Sequence, residues 1–471
     1  MRIGVGVPPK GVRGSGVSSV VNALMSETWL TSRPDGHQSE RLVTDWKWDE
    51  SRTLLHLQLR HDVYFHDGTK LTPEIAAAAL RNSVAHAADE AALSFLSITS
   101  VAVSGADGLD VRLSEPNSFV IPDLALVAVR KPGNDNIGTG PFRIVNRTPQ
   151  QVTFTAFPQY YRGRPAINDV AIIPYPTQRK AWTALMRGEV DMLHDVSRDA
   201  IDFVQAESTV HTYSFPRPYY IPLVFNVRHP ILQRAEVRRA INEALDKATL
   251  VRDGLNGRGR PADGPIWPEH WAQPAAVERF SFDPARAEQE LDAAGLRARP
   301  NADGTVPARF SFTCLVFADD TRFERLAVLV QKQLSDVGIE MKLLPLKQPD
   351  LEQRVRTGVF DAFLFEFFGR SLSWTYEFWR HRDGGLQNTG YTAADGVLDR
   401  IRGAKSDEEV KAGVTELARL LHDDPPGAFL AWQETTRAVS NRFNVQSENG
   451  RDIFTNLWQW RAADAPRQAS R

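Results

Sequence analysis

ARFSFTCLVF (residues 308–317), TRFERLAVLVQKQLSDVG (321–338), IEMKLLPL (339–346), LEQRVRTG (351–358) and FDAFLFEFF (360–368) follow one another with little between them. Apolar residues alternate in the first, third and fifth stretches and recur at helical spacing in the second and fourth. Strand, helix, strand, helix, strand is the order of an α/β layer with a partly parallel sheet. The single cysteine of the chain, Cys314, falls inside the first of these strands. It reads as inert core, because a reactive thiolate prefers an electropositive, partly exposed setting. One cysteine also excludes a structural disulfide and a cysteine-based zinc site.

Upstream, FDPARAEQELDAAGL predicts a helix capped by Asp283 with Pro284 at its first position. ILQRAEVRRAINEALDKATLVRDGL reads as an amphipathic helix pair, and YYIPLVFNV before it as a strongly β-forming run. TQRKAWTALMRGEVDML gives a helix with Trp182, Leu185 and Met186 on one face, stopped by Gly188, then a short strand. Gly138-Thr139-Gly140-Pro141 is too short and too interrupted by proline for a phosphate loop, and reads as a tight turn into an antiparallel meander. GLDVRLSEP and FVIPDLALVAV read as a strand and a helix. The chain opens on a strand, RIGVGV, then a Gly- and Pro-rich loop, then a helix behind Ser18 and Ser19 as caps. LVTDWKWD and TLLHLQLR, separated by ESR, read as a hairpin.

YFHDGTKLTPEIAAAAL (64–80) brings a histidine, an aspartate and threonines together as an active site would. Each of these residues also has a local task. Asp67-Gly68 makes a turn, Thr72 caps a helix with Pro73 at its first position, and Glu74 lies in the first turn beside the helix dipole. His66 is expected to be a turn or surface histidine, since a zinc site needs several converging ligands and no H-E-x-x-H pair exists in the chain.

At 471 residues, 42% hydrophobic and 24% charged, the chain is long enough for two or three packed domains. Its 56 basic and 58 acidic residues leave a net charge of −2, with no Lys/Arg tract that would track phosphates, so nucleic acid is not an expected partner. No apolar run approaches the roughly 18 residues that a membrane span requires. MRIGVGVPPK has no basic segment followed by an apolar one, so no secretory signal is visible; a protein that stays inside, and a mature form or a shortened start, both fit. Neither G-x-S-x-G nor a convergent metal set occurs, and the expectation is no enzyme, no cofactor and no metal.

Several phrases taken in order resemble one family. They are YFHDGTKLTPE, IGTGPFRIV, PQYYRGRPAINDVAIIPYPTQRKAWTALMRGEVDML, FNVRHPILQRAEVRRAINEALDK, GPIWPEHWA and FDPARAEQELDAAGL. Over residues 2 to 460 the chain is similar to the extracytoplasmic solute-binding proteins of peptide, dipeptide, opine and nickel ABC transporters, the family 5 type. The resemblance implies an α/β, two-lobed periplasmic-binding-protein-like fold with an additional small subdomain and a hinge between the lobes. Carried onto this chain, lobe I would be residues 1–40, 137–224 and 438–471, the subdomain 41–136, and lobe II 225–437. It implies a monomer, a periplasmic or extracytoplasmic location, and a permease with its ATPase as partners. The solute would be a peptide or peptide-like molecule enclosed between the lobes. A rival from another class is the ligand-sensing domain of a cytoplasmic regulator, which upstream sequence would reveal.

In peptide-binding relatives an aspartate after the last α/β strand holds the ligand's α-amino group. Here that segment is FEFFGRSLSWTYEFWRHRDGG, with no aspartate between Gly369 and Phe378, and Glu366 or Glu377 are the candidate substitutes. The segment offers Arg370 for a carboxylate or phosphate, and Trp374 and Tyr376 as flat walls. Arg13 in the first loop, Arg130 before the Gly138 turn, and Tyr219 and Tyr220 near the hinge complete the candidate ligand-binding set. Two or more arginines in one site would favour an anionic or opine-like solute. His381 alone is a poor basis for a metal chelate.

Overall fold

A computed structural model describes residues 1–6, 16–87, 92–197, 200–276, 278–302, 305–382, 387–448 and 450–463. Arg13 lies outside them. The chain divides into two compact units, Met1–Pro216 with Glu434–Arg471, and Arg217–Gln433.

In the first unit the opening strand Arg2–Gly6 runs parallel to Asp169–Tyr175, with Arg2 opposite Ala171 and Gly6 opposite Tyr175. Phe142–Arg147, Val152–Ala156 and Asp169–Tyr175 form the expected antiparallel meander. Helix Val17–Met25 buries Val20, Val21 and Leu24 against Ile3, Phe142 and Ile172. Neither Ser18 nor Ser19 caps it: both lie inside the helix, and Gly16 stands at its N-terminus without a side-chain bond. A four-stranded antiparallel sheet, in the order Val43–Trp48, Leu54–Leu59, Gly108–Leu113, Ile98–Ser104, has a core of its own. Alternate residues Leu55, Leu57, Leu109 and Val111 face helix Pro73–Ala85, whose small Ala76 and Ala77 let it lie close on the sheet.

Thr72 caps that helix, its Oγ1 accepting from Ile75 N at 3.4 Å, and Gly68 takes φ +85° in the turn before it. His66 sits in that turn, as expected, and is partly buried rather than exposed. Its Nε2 lies 3.0 Å from the carbonyl of Gly140, its ring meets Phe157 edge-on, and burial pushes its pKa down to about 4. It is a neutral packing residue, while Asp67 pairs with Lys131. FVIPDLALVAV splits into a one-turn helix, Val120–Leu124, and a strand, Ala128–Lys131, because its later residues join a ladder with residues 134–138.

The second unit is built on Phe310–Phe317, which runs parallel to both Ile339–Leu346 and Ala362–Leu364. Helix Thr321–Asp336 packs Phe323, Leu326, Val330 and Leu334, one helical face, onto this layer. Cys314 is fully buried and its thiol is pushed well up by desolvation. FDAFLFEFF is not one continuous strand: Ala362–Leu364 and Phe367–Phe368 pair with successive parts of Val210–Phe225, with Phe365 and Glu366 at the break. Two strands, Val210–Phe225 and Gly427–Ser440, contain the points where the chain passes from one unit to the other.

Candidate functional site

In the second unit the pleat of a single ladder separates two sets of side chains. Tyr219 stands opposite Phe368 and Tyr220 opposite Phe367. Since neighbouring residues of a strand point to opposite faces, Tyr220 and Phe367 turn inward; they are 0% and 5% exposed. The Tyr220 ring packs on Trp432 at 5.0 Å, its hydroxyl accepts from Trp379 Nε1 at 2.8 Å, and desolvation raises its pKa. Both its ring and its hydroxyl are thus used within the core. Arg217 and Tyr219 share the other face, where the Arg217 guanidinium lies 4.1 Å from the centre of the Tyr219 ring.

Glu366 is the charged centre of that outer face. Its carboxylate accepts from Arg217 Nη1 at 3.2 Å and Nη2 at 3.4 Å, and from Gln433 Nε2 at 2.7 Å. Arg322 Nη1 is a further 3.5 Å contact, and the same nitrogen donates to Gln433 Oε1 at 2.5 Å. The Glu366 side chain is 5% exposed and the two arginines are 20% and 21% exposed. Asp320 forks onto Arg322 in turn, so the cluster of two arginines and two carboxylates has no net charge. Arg217 and Gln433 are the first and last residues of the unit. Glu366 therefore ties the starts and ends of this unit's chain together across sequence separations of 149 and 67 residues.

Gly369 permits the next element to fold back. A Cβ there would lie 2.4 Å from the Trp432 ring and 2.8 Å from the Pro265 carbonyl. Ser371 then caps helix Leu372–Trp379, accepting from Ser373 N at 3.3 Å. The helix sets Trp374 edge-on to Phe368 at 5.8 Å and tilted on Phe378 at 5.3 Å. Tyr219, Phe368 and Trp374 thus form a partly exposed aromatic shelf beside the Glu366 cluster.

The remaining sequence candidates fall elsewhere. Tyr376 is 7% exposed, its hydroxyl donates to Asp399 Oδ1 at 2.8 Å, and Arg382 lies 5.1 Å over its ring. Glu377 accepts from Arg382 Nη2 at 2.5 Å, and burial raises its pKa. Arg370 is partly exposed, one residue beyond Gly369. The backbone of His381 donates to Asp395 at 2.7 Å, and among the described residues no group of three His, Cys, Asp or Glu side chains converges as a metal site would.

In the first unit, Arg130 stands opposite Gly138 in the ladder. Its Nε is buried with no hydrogen-bond partner among the described residues, and so are Thr139 Oγ1 and Ser26 Oγ. Ser26 Oγ lies 3.0 Å from where a Cβ on Gly138 would sit. Three polar groups around one turn are therefore left with unused hydrogen-bonding capacity, an uncommon condition for buried atoms. The two glycines of the turn are required by contact: a Cβ on Gly138 would be 2.0 Å from the Met25 carbonyl oxygen, and one on Gly140 2.6 Å from its carbon.

Residues 38–386 match the model of a family described as bacterial extracellular solute-binding proteins, family 5. The chain belongs to this family. Among curated family 5 relatives, the oligopeptide-binding protein AppA of Bacillus subtilis is 24% identical over 339 residues, 69% of this chain and 62% of that protein. Heme-binding protein A of Haemophilus influenzae is 24% identical over 327 residues, 68% of this chain and 59% of that protein. The chain thus matches about three-fifths of the length of these two relatives. Among solved structures, NikA of Brucella suis in complex with Fe(III)-EDTA superposes with a TM-score of 0.85 at 19% identity, covering 98% of this chain and 100% of that one. AgaA of Agrobacterium tumefaciens R10 in complex with agropinic acid gives 0.76 at 19% identity, covering 99% of each. These likenesses establish the two-lobed α/β family 5 fold expected from the sequence.

Sequence reading missed Arg217, Arg322, Phe368 and Gln433. The first and third could have been found from strand parity, because Arg217 and Tyr219, and Glu366 and Phe368, are each two residues apart.

Proposed function

We propose that this protein is the solute-binding component of an ABC import system, delivering a peptide or peptide-like small solute to a membrane permease and its ATPase. It works outside the cytoplasm as a monomer, binds no nucleic acid and breaks no bond. Membership of family 5 over residues 38–386 carries the reading. The site chemistry supports it, since the second unit presents partly exposed aromatic side chains and guanidinium donors.

Arg130 in the first unit and Tyr219, Trp374 and Arg370 in the second are the ligand-binding residues in this proposal, while Tyr220 and Tyr376 are held in packing, their hydroxyls engaged by Trp379 and Asp399. A non-peptide anionic or opine-like solute is the second reading. Arg130, whose buried Nε is unpartnered among the described residues, favours it, because a carboxylate would complete a charge-assisted pair there.

A thermal-shift screen against di- and oligopeptides, opine-like conjugates, sugar phosphates and nickel with histidine tests both. A solute at about 100 times its Kd stabilises the folded form by roughly 2.7 kcal/mol, visible as a rise of several degrees. A hit among peptides supports the first reading, and a hit confined to anionic conjugates the second. Turnover of any candidate would overturn the non-enzymatic assignment.

A further inference from the structure

In the first unit, strands Arg2–Gly6 and Asp169–Tyr175 lie side by side and parallel, and the helices that follow them pack on opposite faces of the sheet. Helix Val17–Met25 shares a core with Ile3 and Ile172. Helix Gln178–Met186 buries Ala181, Ala184 and Leu185 with Leu193, and Ile173 packs on that side. Adjacent parallel strands whose connections leave to opposite faces open a crevice beyond their carboxyl ends, where open α/β sheets bind ligands. Residues 7–15, which join Arg2–Gly6 to its helix, lie outside the described residues. Strand Met192–Leu193 runs parallel along the other side of Arg2–Gly6, so His194 and Asp195 emerge at the same carboxyl end. There the two faces are finished differently. On one, Gln178 Nε2 donates to Asp195 Oδ2 at 3.2 Å, and a Cβ on Gly6 would stand 2.5 Å from Gln178 Cα. On the other, the His194 ring stands edge-on to Phe454 at 5.4 Å, beside the core of helix Val17–Met25. The His194 side chain is partly exposed, and neither ring nitrogen has a hydrogen-bond partner among the described residues. Its backbone is fixed from both sides: its N–H donates to the Gly4 carbonyl at 3.0 Å, and its carbonyl accepts from Arg437 Nη1. Asp452 forks onto the same guanidinium, so Arg437 brings no uncompensated charge. Burial and that guanidinium hold the imidazole well below its ordinary pKa, leaving it uncharged at neutral pH with one N–H donor and one lone pair. An ionic group arriving beside it would meet no counter-charge, whereas an uncharged polar group would lose only water.

We propose that His194 is a solute contact of the first unit, hydrogen-bonding an uncharged amide or hydroxyl group beyond the carboxyl ends of strands Arg2–Gly6 and Met192–Leu193. The proposal rests on the solute-binding function and adds to it a contact residue and the kind of group that this residue takes.

The test is NMR of the imidazole nitrogens in the full chain labelled with nitrogen-15 histidine, the His194 signals being assigned by their loss in His194→Gln. The probes are N-acetylglycinamide, propane-1,2-diol, acetate and methylammonium, each titrated separately. The His194 nitrogens should show the shifts of an uncharged ring at neutral pH and move with the amide or the diol, which tells the two groups apart. Acetate and methylammonium should bind there at least fivefold more weakly. His194→Leu should weaken the better uncharged probe about fivefold, as the loss of one hydrogen bond does. His194→Gln, which keeps a donor and an acceptor, should retain most of the affinity, and a general loss of structure would not spare it. No response of the His194 ring to either uncharged probe, an equal response to acetate or methylammonium, or unaltered affinity in His194→Leu would each overturn the proposal. The import reading fails on different evidence, namely the absence of stabilisation by every solute class in the thermal-shift screen, so the two failures are distinguishable.

Discussion

Glu366→Ala should destabilise the second unit by about 3 kcal/mol, and the figure follows from the geometry of the cluster. Removing one partner of a buried ion pair costs about 3–5 kcal/mol, mostly because the remaining charge is left without a counter-ion. Here two guanidiniums would be left, with Asp320 still on Arg322 and Arg217 deprived of its carboxylate. Both arginines are about one-fifth exposed at 20% and 21%, so water recovers part of the loss and places the expected value at the low end. Glu366→Gln keeps an acceptor but not the charge, and should cost about 2 kcal/mol, within the range for hydrogen bonds to charged groups. Urea unfolding followed by tryptophan fluorescence measures both. A double-mutant cycle with Arg217→Ala should give a coupling of about 1–3 kcal/mol, as for residues in one network. A loss below about 1 kcal/mol for Glu366→Ala, or strict additivity with Arg217→Ala, would refute the argument that this carboxylate is committed to the protein's own cations.

Three further outcomes are expected. His66 has a folded pKa of about 4 against 6.5 unfolded, so the unfolded state binds the extra proton between these values; stability is full above pH 6.5 and falls towards pH 4, by up to about 3 kcal/mol from this group. Stability of His66→Gln relative to the parent, measured from pH 7.5 to 4.5, should lose that slope. Gly138→Ala sets a Cβ against the Met25 carbonyl and should cost about 3 kcal/mol, the upper end for overpacking, read as a lowered melting temperature. Arg130→Ala should leave the melting temperature nearly unchanged and weaken an anionic solute by about 2 kcal/mol, some thirtyfold in Kd by calorimetry.

The α/β layer, the hairpin at residues 43–59 and the Thr72, Thr177 and Asp283 helix starts are written locally: alternation, a cap and a proline each act within a few residues. Thr177, whose Oγ1 accepts from Lys180 N at 3.2 Å, was open to the same reasoning as Thr72. The errors arose where long-range pairing overrode local preference. Residues 128–131 look helical beside their apolar neighbours and become a strand only because residues 27–28 and 134–138 offer ladders on both sides. The Glu366 cluster was illegible for a related reason. It joins residues 217, 322, 366 and 433, and no local pattern ties an arginine to a carboxylate 149 positions away. Tyr376 and Tyr220 looked as available as Tyr219 because aromatic residues in one segment share composition while differing in the face they take.

The pleat at Tyr219 and Phe368 has a consequence for how such a protein can diverge. At this pair of rungs Tyr219 and Phe368 face outward, while their neighbours Tyr220 and Phe367 belong to a core closed by Trp432. A substitution at Tyr219 or Phe368 leaves the Tyr220, Phe367 and Trp432 packing beneath it in place. Under the proposed function, single changes at Tyr219 or Phe368 would retune solute preference without touching the inward register, whereas Glu366 beside them is held in place by its part in folding.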